Sequence, residues 1–235
     1  MHRNKGQFCC LFMTLLLSGC MLSLPAFSQD SDALPDGFVY IDDMIPDVII
    51  EMRYASSHNF TGKSVPGYEA NRAILTKEAA EKLAEAAAEA RDMGYRMKIF
   101  DAYRPLDAVK AFVKWAQDPY DLSGKEEFYP DIKNKQKLLD LEYISRSSNH
   151  CKGSAVDLTL TDMNGNELDM GTGFDFFGDK AGHGANGLTK EQQKNREILS
   201  SLMEKHGFRR FQREWWHYRL QNQPYPDQNF NFPVR

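Results

Sequence analysis

The stretch that best predicts the fold of this chain is SNHCKGSAVDL, which spans Ser148–Leu158. It carries an imidazole, His150, and a carboxylate, Asp157, with six residues between them. A second segment, EWWH at Glu214–His217, adds another histidine and another carboxylate. Two histidines and one carboxylate are the ligand set of a catalytic zinc centre, which keeps a fourth position open, whereas structural zinc sites are closed and usually rich in cysteine. The pattern predicts a hydrolytic zinc site with Glu214 left over for proton transfer.

The residues around the predicted carboxylate ligand form a strand pattern from Ala155 to Thr161. Because side chains alternate along a strand, Asp157 and Thr159 share one face of it. The other face carries three aliphatic residues: Val156, Leu158 and Leu160. The aliphatic face is expected to pack in the core, so Asp157 faces a cleft. Asn164-Gly165 then predicts a tight hairpin turn into Glu167–Met170.

A second predicted strand, Tyr95–Phe100, leads into the segment DAYRP at Asp101–Pro105. Proline at the first position favours a helix, which we expect to run to Gln117. Arg104 therefore lies at the end of a strand.

Two further helices are predicted from their caps. Thr76 can begin a helix that runs to Met93, with Gly94 ending it in a left-handed conformation. One side of that helix has residues at helical spacing: Leu83, Ala87, Ala90 and Met93. Thr189 and Gln192 form the pattern of a capping box for a helix that ends near His206-Gly207.

The C-terminal metal-ligand candidate lies in a segment, Phe208–Leu220, that predicts strand, bend and strand. His217 and Arg219 would share one face of the last strand. Glu214 is three residues before His217 and cannot share that face on a regular strand. We therefore expect a bend or bulge around Glu214-Trp215.

Residues 1–28 predict an export signal. Arg3 and Lys5 give a basic start, and the apolar run Cys9–Gly19 follows. Ala26-Phe27-Ser28 suits ordinary signal cleavage. The sequence therefore predicts an exported protein that works in the periplasm.

A lipoprotein signal, residues 1–19 with a lipidated Cys20, is the alternative. In that case the protein would be lipid-anchored to a bacterial membrane, and membrane contact is expected only then. In either case, residues 29–235 form one predicted catalytic domain, since about 200 residues suffice for one sizeable core.

The net charge and the cysteine content of the mature chain bear on nucleic acid binding and on disulfide formation. Cleavage after residue 28 removes Arg3 and Lys5, so 29 basic and 33 acidic residues become 27 and 33, a net charge of −6. This balance gives no indication of nucleic acid binding. Cys151 alone remains after cleavage, so no intrachain disulfide is expected and stability must come from the core.

Three segments resemble the signatures of D-alanyl-D-alanine dipeptidases: Asp101–Pro105, His150–Asp157 and Glu214–Tyr218. These enzymes belong with the zinc DD-peptidases, which are related in fold to the Hedgehog signalling domain. The likeness extends through other parts of the chain: Asn59–Gly62, Phe174–Phe176, Ala185–Gly187, Pro224–Pro226 and Phe232–Val234. The resemblance implies an α+β fold, a single domain with an antiparallel sheet and flanking helices.

The resemblance also implies roles for individual residues. It implies one zinc ion per chain with three ligands: His150, Asp157 and His217. Glu214 matches the family's catalytic acid/base, and Arg104 matches its transition-state-stabilising arginine. Asp175 matches an acidic position suited to the substrate ammonium, and Ser148 lies close enough in sequence to His150 to bind the substrate carboxylate. The implied activity is hydrolysis of D-alanyl-D-alanine to two D-alanines, in cell-wall peptide turnover or in precursor depletion.

Two alternatives remain open. The same metal ligands would serve a DD-carboxypeptidase or endopeptidase that acts on peptidoglycan stem peptides. A zinc-binding protein that kept the fold without catalysis is the other, although Glu214 and all three ligands are retained here. The remaining histidines of the mature chain, His58, His183 and His206, lack this context and are not expected to be ligands.

Overall fold

The centre of the molecule is a five-stranded β-sheet. A computed structural model of the protein describes residues 1–2 and 33–235. The described part has seven strands: β1 (Phe38–Tyr40), β2 (Ile49–Ile50), β3 (Ile74–Thr76), β4 (Arg96–Asp101), β5 (Ala155–Thr161), β6 (Phe208–Phe211) and β7 (Glu214–Leu220). It has six α-helices: α1 (Ile41–Met44), α2 (Lys77–Asp92), α3 (Leu106–Gln117), α4 (Lys125–Phe128), α5 (Lys137–Asp140) and α6 (Lys190–Lys205).

The main sheet has the strand order β2-β4-β5-β7-β6, and β1 pairs with β3 in a separate two-stranded sheet. Neighbours in the main sheet are antiparallel except for β2 and β4, which are parallel. Sheet and helices alternate irregularly along the chain, as is typical of α+β proteins. The predicted fold class is confirmed, with the short parallel pair at the edge as the one departure from an antiparallel sheet.

Strand β5 has the predicted bounds, Ala155–Thr161. All seven of its side chains are buried, because both faces of this central strand are covered. The turn after it differs from the predicted two-residue hairpin. The Asp162 carboxylate accepts hydrogen bonds from the backbone of Asn164 and Asn166, and Gly165 has a φ of 91°. Beyond this turn a single bridge between Thr161 and Glu167 replaces the predicted second strand.

Helix α2 follows Thr76 as predicted, but the Thr76 hydroxyl does not cap it. That hydroxyl lies 3.4 Å from the Ser154 hydroxyl instead. Gly94 has the expected left-handed φ of 86°. Met93 was expected on the buried side, yet it is 46% exposed because it lies just past the last turn of the helix. The buried face consists mainly of alanine, which allows close packing: Ala79, Ala80, Leu83, Ala86, Ala87 and Ala90.

Helix α6 begins with the predicted capping box. The Thr189 hydroxyl accepts from the Gln192 amide, and the Gln192 side chain accepts from the Thr189 amide. The helix ends at Lys205, directly before His206, as the sequence predicts. His206 Nε2 donates a hydrogen bond to the Glu89 carboxylate of α2, which ties the two helices together.

The predicted irregularity in the C-terminal strand is present. In the β6–β7 pair Arg210 lies opposite Tyr218, and the next residue, Phe211, lies opposite Glu214. Three residues of β7, 215–217, therefore lie between the two β7 residues that pair with Arg210 and Phe211. Such a bulge re-aims side chains along a strand, and it lets Glu214 and His217 reach the same cavity.

The chain after β7 crosses the segments that carry the predicted site. Phe230 donates its amide to the Cys151 carbonyl, and the Tyr103 hydroxyl bonds to both backbone groups of Phe232. The Phe232 ring stacks on Tyr103 at 4.0 Å between centroids. These contacts hold the loop that follows β4 beside the loop that precedes β5.

Residues 34–235 form one compact unit. The predicted signal, residues 1–28, lies outside the described residues except for the first two. Among the residues that the structure describes, no helix combines the length and the apolar character needed to cross a membrane.

Candidate metal centre

Three side chains meet at one end of the central strands in an arrangement that can hold a metal ion: His150, Asp157 and His217. His150 Nε2 lies 3.1 Å from His217 Nδ1 and 3.3 Å from Asp157 Oδ1. His217 Nδ1 and Asp157 Oδ1 are 3.0 Å apart. His150 and Asp157 are almost fully buried, and the His217 side chain is 13% exposed. The structure thus brings together the three residues predicted to be ligands.

The sheet itself places two of these residues. Asp157 on β5 lies directly opposite His217 on β7 in an antiparallel pair, so their side chains leave the same face of the sheet. His150 comes from a short 3-10 turn, Asn149–Lys152, in which the His150 amide donates to the Ser148 hydroxyl. The Arg104 amide also donates to the His150 carbonyl, which fixes this turn against the end of β4.

A backbone carbonyl sets the ring orientation of His150. Its Nδ1 lies 2.6 Å from the carbonyl oxygen of Ala102. A protonated Nδ1 donates to that carbonyl, so Nε2 is the nitrogen that faces Asp157 and His217, where it can bind a metal ion once it gives up its own proton. A backbone or carboxylate partner of this kind is the usual support of a metal-binding histidine.

The separations of the three ligand atoms fit a tetrahedral ion. Zinc binds nitrogen and oxygen at 2.0–2.2 Å, and tetrahedral angles then place neighbouring ligand atoms roughly 3.3–3.5 Å apart. The observed sides of the triangle, 3.0, 3.1 and 3.3 Å, are within a few tenths of an ångström of that range. Asp157 can use Oδ1 toward the ion, because its Oδ2 faces Arg104 at 3.5 Å.

The charge state of Asp157 suits a ligand. Burial alone would raise its pKa, but the charge of His150 and hydrogen bonds from both imidazoles outweigh burial and hold the pKa well below its usual range. The side chain is therefore a carboxylate at any pH at which the protein is expected to work. An anionic oxygen beside two imidazoles is a strong donor set for a divalent ion.

Glu214 lies beside the three ligand residues without belonging to them. Its Oε2 is 3.9 Å from His217 Nδ1, and its side chain is 16% exposed. Burial raises its pKa to about 7, against the lowering effect of His217. A carboxyl group that titrates near neutral pH can both accept and return a proton. A bound dication would lower that pKa by charge attraction.

Arg104 points into the same cavity from the end of β4. Its guanidinium bonds to Asp101 Oδ2 through Nε at 2.8 Å and Nη2 at 2.7 Å. The Tyr68 hydroxyl donates to the other oxygen, Oδ1, of Asp101 at 2.6 Å. Asp101 is fully buried, so it orients the guanidinium rigidly. The guanidinium carbon of Arg104 also lies 5.2 and 5.3 Å from the ring centroids of Tyr54 and Phe112.

The two weaker candidates also border the cavity. Asp175 is buried, accepts a 2.9 Å hydrogen bond from the Tyr54 hydroxyl, and has a left-handed φ of 61°. Such a conformation is uncommon outside glycine and persists where the surroundings enforce it. Burial and the nearby charge of Asp157 raise the pKa of Asp175 well above its usual range. Ser148 caps the turn that carries His150 and lines the cavity at the same time.

All of these groups surround one cavity of about 300 Å³. Its inner side, which we call the sheet floor, is formed by residues of β5 and β7: Asp157, Glu214, Trp216 and His217. Another part of the lining, which we call the outer wall, is the segment Glu142–Asn149, which has no regular structure before the turn that begins at Asn149. The volume is at the low end of the range for small-ligand sites.

The structure places the other three histidines of the described domain away from this cavity. His58 pairs with Arg53 and Glu127, and His206 pairs with Glu89. His183 is partly buried beside the Tyr218 ring, where burial lowers its pKa to about 4. Cys151 is buried next to His150, and burial raises the pKa of its thiol to about 11, so it is a poor nucleophile.

Several residues in or around the cavity are not predicted from the sequence. For Asp101, which holds Arg104, the usable signal is an acidic residue three positions before an arginine. Tyr68 and Tyr54 meet the site only through long-range folding, and no spacing in the chain indicates this. Phe211 lines the cavity, and Arg213 contacts Tyr143 of the outer wall. In the sequence, only their closeness to Glu214 indicates these two residues.

Comparison with known sequences gives a match over almost all of the described domain. The sequence model of the family Peptidase_M15, described as D-ala-D-ala dipeptidase, matches residues 35–235. The chain is 42% identical over 202 residues to a D-alanyl-D-alanine dipeptidase of Enterococcus faecalis, covering 86% of this chain and 100% of the relative. It is 37% identical to one of Streptomyces coelicolor, covering 84% and 98% of the two chains. It is 35% identical to one of Escherichia coli, covering 75% and 81%.

Comparison with solved structures gives more distant likenesses. The LD-carboxypeptidase LdcB is 19% identical, with a TM-score of 0.43 over 83% of this chain and 72% of that one. VanYB, solved in complex with D-alanine-D-alanine, is 16% identical, with a TM-score of 0.41 over 65% and 75% of the two chains.

Proposed function

Because the chain belongs to the D-ala-D-ala dipeptidase family of zinc peptidases, we propose that it hydrolyses the free dipeptide D-alanyl-D-alanine to two D-alanines with one bound zinc ion. It is a metallopeptidase by family membership. The observation that carries the choice of reaction is the juxtaposition of His150, Asp157 and His217 with the extra carboxylate of Glu214 in one small cavity.

Zinc would be held by His150 Nε2, His217 Nδ1 and Asp157 Oδ1. When bound, the ion supplies Lewis acidity that acidifies water and polarises the scissile carbonyl. Three protein ligands leave room for the reactants, as in catalytic rather than structural sites. The Ala102 carbonyl behind His150 keeps this ligand in the required tautomer.

Glu214 transfers the proton. Its carboxylate takes a proton from the water whose oxygen attacks the peptide carbonyl carbon, and it then delivers that proton to the leaving nitrogen as the C–N bond breaks. Burial beside His217 keeps its pKa close enough to neutrality for both steps. No other acid of the sheet floor is available, because Asp157 is committed as a ligand.

Arg104 stabilises the negative charge that develops on the carbonyl oxygen. The guanidinium is held by Asp101 and lies near Asp157, so it meets the reacting group without first having to be ordered. A fixed cation that faces charge present only in the transition state lowers the barrier more than it tightens substrate binding.

The two ends of the dipeptide need partners of opposite charge. Asp175, with the Tyr54 hydroxyl on its Oδ2, would receive the free ammonium, and the arrival of that cation would favour the ionised carboxylate. Ser148 would donate its hydroxyl hydrogen to the free carboxylate, since its oxygen already accepts from the His150 amide. The cavity of about 300 Å³ supports a substrate of dipeptide size over a polymeric one.

The first test is release of D-alanine from D-alanyl-D-alanine by the purified protein, with and without a chelator. A blocked dipeptide and a stem pentapeptide serve as alternative substrates, and Glu214→Ala is the control for the proton-transfer residue. Metal-dependent cleavage of the free dipeptide alone supports the proposal. Preferential cleavage of the pentapeptide would instead make the protein a wall carboxypeptidase, and zinc binding without hydrolysis would make it a binding protein.

We also propose that the protein is exported to the periplasm and acts in cell-wall peptide turnover. The basic and apolar segments within residues 1–28 support export. A secreted enzyme would meet dipeptide released from peptidoglycan, whereas the dipeptide precursor is assembled inside the cell. N-terminal sequencing of the mature protein checks the signal: a start at Gln29 supports a free protein, and a lipid-modified Cys20 supports an anchored one.

A further inference from the structure

The residues that line the cavity of the candidate site fall into a buried group and an exposed group. Its deep lining residues belong to the core and are at most 4% exposed: Tyr54, Phe60, Phe112, Phe177 and Trp216. Its exposed lining residues are Phe211 and three members of the outer wall: Glu142, Ser145 and Ser147. Any part of a ligand that exceeds the cavity is therefore expected to leave past Phe211 and the outer wall.

The outer wall has few backbone anchors of its own. It contains no helix or strand before the turn at Asn149, and Glu142 has a left-handed φ of 59°. Ile144 is its buried anchor, 5% exposed, and its amide donates to the Leu138 carbonyl at 3.0 Å. A segment with one buried side chain and exposed neighbours is expected to open at a low free-energy cost.

Arg213 joins this segment to the other side of the cavity. Its guanidinium lies 4.4 Å from the centroid of the Tyr143 ring, and its Nη1 donates to the Leu141 carbonyl. The Tyr143 ring in turn contacts Phe177, at 5.8 Å between centroids. Arg213 lies in the two-residue turn between β6 and β7 and is followed directly by Glu214. One side chain thus ties the catalytic hairpin to the outer wall.

We propose that Arg213 is a specificity-determining residue that holds the outer wall closed over the cavity and so excludes peptides longer than a dipeptide. This inference rests on the proposed dipeptidase function. With the wall closed, a third residue of a substrate meets Tyr143 and its neighbours. With the wall released, the additional residues can extend past the exposed lining residues toward solvent. Arg213 is not among the residues that line the cavity, so we assign its effect on substrate length to the position of the wall.

The size of the effect follows from the contacts that are lost. Arg213→Met keeps much of the apolar stem but removes one cation–π contact and one charge-assisted hydrogen bond. Loss of these is expected to raise the ratio of kcat/KM for a stem pentapeptide to kcat/KM for D-alanyl-D-alanine by about five- to tenfold. The dipeptide reaction should change mainly in KM, because Glu214 and the ligand residues keep their positions.

The experiment measures that ratio in the zinc-loaded protein together with hydrogen–deuterium exchange of the Ile144 amide. Arg213→Met and Tyr143→Leu should both raise the ratio and speed the exchange, and the double variant should add little to either single one. Tyr143→Phe keeps the ring that faces Arg213, so the Ile144 amide should exchange at the wild-type rate in this variant. Arg209→Met is the matched control, since Arg209 is an exposed arginine on the same hairpin.

The outcomes separate this inference from the proposed function. Absence of dipeptide hydrolysis by the wild type would overturn the proposed function and the specificity role with it. Wild-type hydrolysis with an unchanged ratio in both Arg213→Met and Tyr143→Leu would overturn only the role of Arg213. Faster exchange at Ile144 without a changed ratio would likewise reject it, because the wall would then be held by Arg213 without selecting the substrate.

Discussion

The sheet floor and the outer wall of the cavity are built in different ways. The floor lies on β5 and β7, whose register fixes Asp157 opposite His217 and whose core side chains are buried. The wall is an irregular segment held by Ile144 and by the side chain of Arg213. Rigid elements hold groups to within the tolerance that catalysis needs, whereas loops can vary without loss of the core. The difference places the chemistry on the floor and the choice of substrate on the wall.

The largest effect is expected on the floor from Glu214→Gln. The amide has nearly the same shape but cannot accept the proton, so kcat for D-alanyl-D-alanine should fall by roughly 10²- to 10⁴-fold. Zinc content and thermal stability should be retained, because Glu214 is not among the three ligand residues. Steady-state kinetics with metal analysis check this. A variant that kept wild-type kcat would remove Glu214 from the mechanism.

The same residue predicts how the stability of the metal-free protein depends on pH. The pKa of Glu214 is raised in the folded state, to about 7, so the folded state binds more protons than the unfolded state between about pH 4.5 and 7. Its contribution to the free energy of unfolding is therefore lost as pH rises through this window, by about 3 kcal/mol at most. Urea unfolding of the metal-free wild type and Glu214→Gln should show a steeper decline in the wild type. Parallel curves would contradict the buried, proton-binding state of this carboxyl.

A smaller effect is expected from the residues that hold Arg104 in place. Tyr68→Phe removes the hydroxyl that donates to buried Asp101 and leaves one oxygen of that carboxylate without this donor. Such a loss costs about 1–3 kcal/mol, and we expect it to appear in both the free energy of unfolding and kcat, because Asp101 orients Arg104. Chemical unfolding and a comparison of kcat with KM test this. A change in KM alone would show that the network does not position Arg104.

The smallest effect is expected on the wall. Ser147→Ala alters an exposed residue in a segment without regular structure, so the free energy of unfolding should change by less than about 0.5 kcal/mol. Thermal unfolding of the zinc-loaded and metal-free proteins gives the measurement. A larger loss would mean that the wall is as tightly built as the floor, and the contrast between the two regions would not hold.

The sequence alone determined much of the site, because local signals carry it. The alternation from Ala155 to Thr161 predicted the bounds of β5 and the face on which Asp157 lies. The spacing of Glu214 and His217 required a bulge, and β7 has one. The Thr189–Gln192 capping box was also predicted and is present. Each of these depends on residues within one turn or one strand, where side-chain period and cap chemistry decide the outcome.

Tertiary structure decided what depends on distant partners. The Thr76 hydroxyl faces Ser154 instead of capping α2, and Met93 is exposed where the helix ends. The bond from Tyr68 to Asp101 and the contact of Arg213 with Tyr143 join segments more than 30 residues apart. No period or spacing along the chain encodes such pairs, because they form only when packing of the whole core brings the segments together. The sequence therefore predicted which residues would meet at the candidate site, and only the fold revealed the contacts that hold them in place.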